Sequence, residues 1–460
     1  MYKAYITTLK NVRKHPNADR LLLGDCFGNT VCVSLDCKED QLGVYFPCDG
    51  QISATFAEMN NLLRKKDDAG NQIGGYMDPN KRHVTAIRLR GEKSDGLFLP
   101  ISALDYCYPK DGAAAHLKAG DVIDGLVNGH EICCKYIPRS NVRHGTVTEG
   151  NRTRKKKVAT APLFKEHADT EQLAYNLGAF KPGDEIEITL KMHGTSQRTG
   201  ALPVLQRYKR SLWDRITRKE GTPIYNYGYV SGTRRVVLEN YEGGFYGNNQ
   251  FREQHSKVFE GKLWKGETVY YEVVGFTTSG APIMGDASNK RLNDKEFIKQ
   301  YGETTRFSYG CEPYGYIRSP CACNEPCGKP QSDIYVYRMT MTNPDGEVVE
   351  YTPDFMRYRC EQMAVKTVPV FARVILPPAE DFDDEHTVGD YVMTMAEQYY
   401  DGPDPVGKTH IREGVVVRII NRPKFAAYKH KNFSFKVLEG IVKTEAAAPD
   451  IEEAQEVTEF

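Results

Sequence analysis

The segment Glu185-Ile-Glu-Ile-Thr-Leu-Lys-Met-His-Gly-Thr-Ser-Gln-Arg198 constrains this chain more than any other. Ile186, Ile188 and Leu190 fall on one parity, and Glu187, Thr189 and Lys191 on the other. That alternation predicts a strand with one buried face, from whose polar side Lys191 departs. The strand breaks at Gly194, followed by Thr195 and Ser196. A lysine at a strand end, beside a turn rich in backbone donors, suits a nucleophile that must meet a phosphate. A surface lysine before a loop glycine has the same local sequence, so the other segments decide between the two.

Four later segments also set polar side chains into apolar runs. Val269-Tyr-Tyr-Glu-Val-Val-Gly-Phe276 puts Glu272 inside a strand, where a carboxylate needs a strong partner. Arg412-Glu-Gly-Val-Val-Val-Arg-Ile419 opens with Glu413 and is interrupted by Arg418. Ala427-Tyr-Lys-His-Lys-Asn-Phe433 places Lys429 and Lys431 on one parity, where two ammonium groups repel unless an anion lies between them. Val230-Ser-Gly-Thr-Arg-Arg-Val236 offers Arg234 and Arg235 on a turn. This inventory could bind a nucleoside triphosphate with a divalent metal.

At 460 residues, two or three domains are expected. No run of 18 apolar residues occurs, so no membrane span is expected, and the opening Met-Tyr-Lys-Ala-Tyr-Ile lacks the apolar core of a signal peptide. The twelve cysteines then point to a reducing, cytoplasmic setting rather than a disulfide framework. Net charge is zero, but residues 441–460 hold one lysine and six acids, which leaves 1–440 at +5.

Residues 1–137 show short strands at Leu21–Phe27, Thr30–Leu35, Gly43–Phe46, Val84–Arg90 and Gly96–Pro100, with Gly28-Asn29 as a hairpin turn and a short helix at Phe56–Lys65. This is the patterning of a small β-barrel. Residues 138–160 read as a basic linker, with Arg152, Arg154, Lys155, Lys156 and Lys157 as candidate phosphate contacts. From 161 to 440 the chain mixes a helix-like Glu171–Leu177 with strands at 184–191, 227–230, 268–276, 334–342, 413–420 and 426–431. Residues 441–460 read as an acidic tail. Arg207, Lys209, Arg210, Arg215, Arg218 and Lys219, interleaved with Tyr208 and Trp213, have the composition of a nucleic-acid contact; a solvated helix face would look the same. Cys311, Cys321, Cys323 and Cys327 form a candidate structural zinc set, with a loop of free thiols as the alternative.

Two resemblances follow from these residues. Asn11-Val-Arg-Lys-His-Pro-Asn-Ala-Asp-Arg-Leu21 and Ile87-Arg-Leu-Arg-Gly-Glu-Lys-Ser-Asp-Gly-Leu97 are similar to the two ends of the tRNA-binding OB domains attached to some aminoacyl-tRNA synthetases. Lys191-Met-His-Gly-Thr-Ser196, Ser231-Gly-Thr-Arg234, Tyr271-Glu-Val-Val-Gly275, Glu413-Gly-Val-Val-Val-Arg418 and Lys429-His-Lys-Asn432 occur in the order of motifs I, Ia, III, IV and V of the covalent nucleotidyltransferases. Within them the pattern resembles the ATP-dependent RNA ligases, which carry His where DNA ligases carry Asp in motif I. The OB-like module before the core resembles the Deinococcus-type arrangement. The resemblance implies an α+β chain: an ATP-grasp-like nucleotidyltransferase core of antiparallel sheets with helices, over 161–440, preceded by a small OB-type barrel.

It also implies roles. Lys191 would attack the α-phosphate of ATP, giving a lysyl-AMP; AMP would pass to a 5′-phosphate, and a 3′-OH would displace it. A lysine at its ordinary pKa costs about 4–5 kcal/mol to deprotonate at pH 7. Lys429 and Lys431 would hold the α-phosphate, Glu413 and Glu272 would place Mg²⁺ or Mn²⁺, and His193 would assist near the phosphates. Leu190, Gly194 and Ser196 would contact the nucleotide, and Glu272 and Arg234 would position the ribose. Ile334-Tyr-Val-Tyr-Arg-Met339 aligns with motif IIIa, which makes Ile334 or Tyr335 the adenine stacker and puts Arg338 where the family has an acid. The implied partner is RNA or an RNA-containing nicked duplex; no protein partner is implied. Alternatives of other classes are a DNA ligase or capping-type nucleotidyltransferase, and a non-catalytic RNA-binding protein. The intact Lys191, Glu272, Glu413, Lys429 and Lys431 weigh against the last.

Overall fold

A computed structural model describes residues 2–65, 74–137, 160–167, 170–211, 213, 221–234, 236–238, 241, 246, 249–315, 328–383 and 386–445. The basic residues at 152–157, Arg215, Arg218, Lys219, Arg235 and Cys321, Cys323 and Cys327 lie outside them. Among the described residues no helix is long and apolar enough to cross a membrane. The chain divides into two compact units, and neither is one continuous stretch.

The first unit joins 2–137 with 287–305 and 432–445. Its core gathers Ile6, Val44, Phe46, Ile52, Phe56 and Leu104, all fully buried. The expected strands form, but they do not close into the OB-type barrel. Ala4–Thr8, Leu42–Phe46, Leu97–Pro100 and Val122–Ile123 make one sheet, while Lys10–Lys14, Leu22–Cys26 and Asn29–Val33 make another. The switch comes after Thr8: a register shift between Lys10 and Arg13, with Asn11 at φ 52°, turns the chain into the second sheet. Cys26 pairs with Asn29, so the hairpin turn is Phe27-Gly28 (φ 51° and 74°), one residue before the expected pair. The predicted helix at Phe56–Lys65 is Ala54–Met59, capped by Ser53, whose side chain accepts the Phe56 N–H. Helix Phe433–Glu445 also belongs to this unit, through Lys436 Nζ 2.6 Å from the buried Asp95, and it runs into the stretch read as an acidic tail.

The second unit, 160–286 and 306–431, carries the motifs. Its strands are β1 (Glu185–Lys191), β2 (Thr195–Lys209), β3 (Thr222–Gly232), β4 (Glu267–Gly275), β5 (Ser332–Thr342), β6 (Val348–Glu350), β7 (Val370–Ile375), β8 (Gly414–Ile419) and β9 (Ala426–Lys431). One sheet runs β9–β8–β1–β7, all antiparallel, and the other β3–β2–β4–β5–β6. Helices α1 (Gln250–Lys257), α2 (Pro353–Met363) and α3 (Val388–Glu397) complete an α+β unit. The Glu171–Leu177 stretch is not helical: Glu171–Gln172 pairs in parallel with Tyr428–Lys429, and two short 3-10 turns follow. Pairing with β9 supplies the hydrogen bonds an isolated two-turn helix would lack.

The alternation read in β1 holds. Ile186 and Ile188 are buried against Val415, Val417 and Ile419 of β8, and Leu190, also buried, pairs with Val415. The turn at 192–194 carries the chain from β1 of one sheet to β2 of the other, so the sequence that follows Lys191 joins the two sheets.

Candidate active site

Register brings the charged motifs together. Lys191 pairs with Gly414 across β1 and β8, and Gly414 pairs with Lys431 across β8 and β9. One row further, Thr189 pairs with Val416 and Val416 with Lys429. The two rows lie on one face, so Lys191, Lys431 and Lys429 share it. Only glycine fits at the centre: Gly414 has φ 146°, and a Cβ there would lie 2.1 Å from the His430 carbonyl oxygen.

Glu413, 2% exposed, stands between the first two lysines. Its Oε1 is 2.8 Å from Lys191 Nζ and 3.2 Å from Lys431 Nζ, and its Oε2 is 3.8 Å from His193 Nδ1. Glu272 reaches the same turn from β4, where its Oε1 accepts the Gly194 N–H at 3.2 Å. A Cβ on Gly194 would sit 2.4 Å from the Val273 carbonyl oxygen, which accounts for the glycine. Ser196 meets the Tyr337 hydroxyl at 2.9 Å.

A cleft opens beside these groups, lined by Lys191, Leu190, Thr189 and Glu187 of β1, Val416 and Arg418 of β8, Glu272 of β4 and Tyr337 of β5, together with His167, Arg234, Arg357 and Phe425. Of the expected residues, Lys191, Leu190, Glu272 and Arg234 line the cleft, and Glu413, Gly194 and Ser196 bond to residues that do. The expected adenine stackers do not. Ile334 is fully buried in the core behind the sheet, with Val336 and Met339, and Tyr335 packs beside Lys366. A register shift between Tyr270 and Tyr271 leaves Tyr337 as an extra residue in β5, which turns its ring into the cleft. Arg338, at the position where the family has an acid, pairs with Glu350 of β6.

Sequence reasoning also missed the layer behind the turn. The wholly buried Tyr309 accepts the His193 N–H on its hydroxyl at 2.6 Å, and burial pushes its phenol well above the usual range. Phe307 stands edge-on to the His193 ring at 4.7 Å, and His410 edge-on to Tyr309 at 4.6 Å. Asp404 accepts the Val406 N–H at 2.8 Å, yet burial pushes its carboxyl up to about 7. His410 donates from Nδ1 to the Ile411 carbonyl, and burial lowers it to about 4. None of these residues lies in a motif, and nothing in their local sequence marks them.

Among the described residues no three His, Cys, Asp or Glu side chains converge on a metal position. Glu413 and Glu272 both touch the turn that holds Lys191, and two carboxylates fit Mg²⁺ or Mn²⁺ whose remaining ligands are water and phosphate oxygens. Of the cysteine set only Cys311 is described; it is buried, and burial pushes its thiol up to about 12.

No protein-family model matches this sequence, and no curated protein does. Solved structures do. A point mutant of the RNA ligase of Naegleria gruberi with AMP and Mn superposes with a TM-score of 0.53 at 16% identity, over 94% of this chain and 97% of that one. A second mutant of that ligase, with ATP and Mn, gives 0.51 at 15% identity over 94% and 98%. The same ligase with PPi gives 0.51 at 16% identity over 96% and 98%. Over nearly its whole length, therefore, this chain shares the fold of the Naegleria gruberi RNA ligase.

Proposed function

We propose that this chain is an ATP-dependent RNA ligase that seals 5′-phosphate and 3′-hydroxyl ends through a lysyl-AMP intermediate. The observation that carries the reading is the Glu413 carboxylate held between Lys191 and Lys431 beside a cleft lined by Glu272, Arg234 and Tyr337. Glu413 orients the Lys191 amine, and the same carboxylate oxygen holds Lys431 beside it. Lys191 Nζ, once it has released a proton to solvent, attacks the α-phosphorus; an N–P bond forms, and pyrophosphate leaves with the electrons of the broken P–O bond. Lys431 and Lys429 offset the charge that develops on the α-phosphate oxygens. Tyr337 and Val416, from opposite sheets, sandwich the adenine, while Glu272 and Arg234 reach the ribose. A bound Mg²⁺ or Mn²⁺, held by Glu413 and Glu272, would lower the charge barrier between nucleophile and phosphate. AMP passes next to the 5′-phosphate of the nucleic acid, and the 3′-hydroxyl displaces it as the phosphodiester bond closes.

His193 in place of an acid favours RNA over DNA. ATP as co-substrate fits a cytoplasmic enzyme. The four cysteines beginning at Cys311 remain a proposed zinc set, which elemental analysis of the purified protein decides. The functional test is sealing of nicked duplexes whose 3′-hydroxyl strand is RNA or DNA, with ATP or GTP. The expected result is joining of the RNA-ended nick with ATP only. Joining with GTP alone would support the capping-type alternative, and preference for the all-DNA nick would support a DNA ligase.

A further inference from the structure

His167 belongs to none of the motifs, yet it lines the same cleft. Its segment is tied down by its own N–H, which donates to the Arg234 carbonyl at 3.1 Å. Its ring is 7% exposed and packs against Tyr337 (centroids 5.3 Å apart), Tyr270 (5.2 Å) and Phe425 (6.0 Å). Nδ1 lies 2.9 Å from Arg338 Nη1. A guanidinium only donates, so Nδ1 must accept, and a ring that accepts at Nδ1 is neutral with its proton on Nε2. Arg338 is held in turn. Its Nε lies 3.1 and 3.0 Å from the two Glu350 oxygens, and its guanidinium is clamped between the rings of Tyr270 (4.7 Å) and Phe425 (4.4 Å). Glu350, Arg338 and His167 therefore form a buried line that ends in one fixed tautomer at the cleft wall.

We infer that His167 is a nucleotide-recognition residue whose Nε2–H donates to a ring nitrogen of the bound base, with Arg338 and Glu350 as positioning residues that fix its tautomer. The inference rests on the reading of the cleft as an ATP site. It explains why β5 carries an arginine after Tyr337: the cation holds the imidazole. Adenine offers acceptors at N1, N3 and N7, and a fixed donor reads one of them, whereas an imidazole free to switch tautomer would read donors as well.

The test is equilibrium binding of ATP and of 1-deaza-, 3-deaza- and 7-deaza-ATP by calorimetry, on the Lys191→Ala chain, which cannot turn the nucleotide over. His167→Asn, whose amide reaches only the Nδ1 position, is expected to weaken ATP binding about tenfold. His167→Gln, which places an amide N–H near Nε2, is expected to restore most of it. One deaza analogue should lose the same factor with His167 present and lose nothing further in His167→Asn. Unchanged ATP affinity in His167→Asn, equal losses with all three analogues, or no ATP binding at all overturns the assignment. Binding that depends on His167, in a protein whose Lys191 form makes no adduct, would instead sink the ligase reading and leave this one standing.

Discussion

Glu413 Oε1 lies 2.8 Å from Lys191 Nζ, and the same oxygen lies 3.2 Å from Lys431 Nζ, so one buried carboxylate serves two amines. Glu413→Gln keeps the shape and removes the charge that reconciles them. Breaking a buried charge pair costs about 3–5 kcal/mol, so adduct formation is expected to slow by about 100-fold or more. Single-turnover labelling with α-labelled ATP measures this; a rate close to that of the unaltered chain would show that Glu413 does not orient Lys191.

Tyr337 and Ile334 separate nucleotide binding from stability. If Tyr337 stacks on the base, a contact worth about 1–3 kcal/mol, Tyr337→Ala should raise the KM for ATP about tenfold or more, while Tyr337→Phe keeps the ring and loses the hydroxyl contact with Ser196. Ile334→Ala should leave that KM unchanged and lower unfolding stability by about 2–5 kcal/mol, because Ile334 lies in the core. ATP titrations and urea melts on the three variants distinguish the roles.

Tyr309 holds the turn that follows Lys191 through the His193 N–H. Tyr309→Phe leaves that buried donor without its acceptor, at a cost of about 1–3 kcal/mol. The expected outcome is a lower kcat for adduct formation with little change in the KM for ATP, since Tyr309 is not part of the cleft wall. A change confined to KM would contradict the assignment.

Asp404 and His410 give stability opposing pH dependences. The Asp404 carboxyl is raised to about 7 in the folded chain. From about pH 4 to 7 the unfolded chain releases this proton and the folded chain keeps it, so the contribution is full at low pH and lost as pH rises, by about 4 kcal/mol in all. His410, lowered to about 4, works the other way: stability is full above about pH 6.5 and is lost as pH falls toward 4. The two offset each other over most of that range. Asp404→Asn removes the first alone, so urea melts at pH 5 and pH 8 should show the variant gaining on the unaltered chain at the higher pH. A constant difference would contradict the burial of a neutral Asp404.

Much of the sheet that carries Lys191 was legible because its signals are local. Alternation in β1 and the polar positions set in β8 and β9 are period-two patterns, and the lysine, carboxylate and glycine positions follow from register once the strands pair. What escaped depends on pairing itself. The irregularity opposite Tyr270 and Tyr271 moves Tyr337 into the cleft and returns Ile334 to the core, and no residue of Ile334–Met339 announces it. Tyr309, Asp404, His410 and His167 arrive from loops whose partners lie far off in sequence. At the start of the chain the short strands were legible from composition, but the irregularity near Asn11 that passes the chain from one sheet to the other was not.

The most direct test of the whole account is the intact mass of the purified chain after incubation with ATP and Mg²⁺, followed by peptide mapping. The account predicts the added mass of one AMP on Lys191, removed on addition of a 5′-phosphorylated RNA nick and absent from Lys191→Ala. An adduct on another residue, or one that persists in Lys191→Ala, would contradict it.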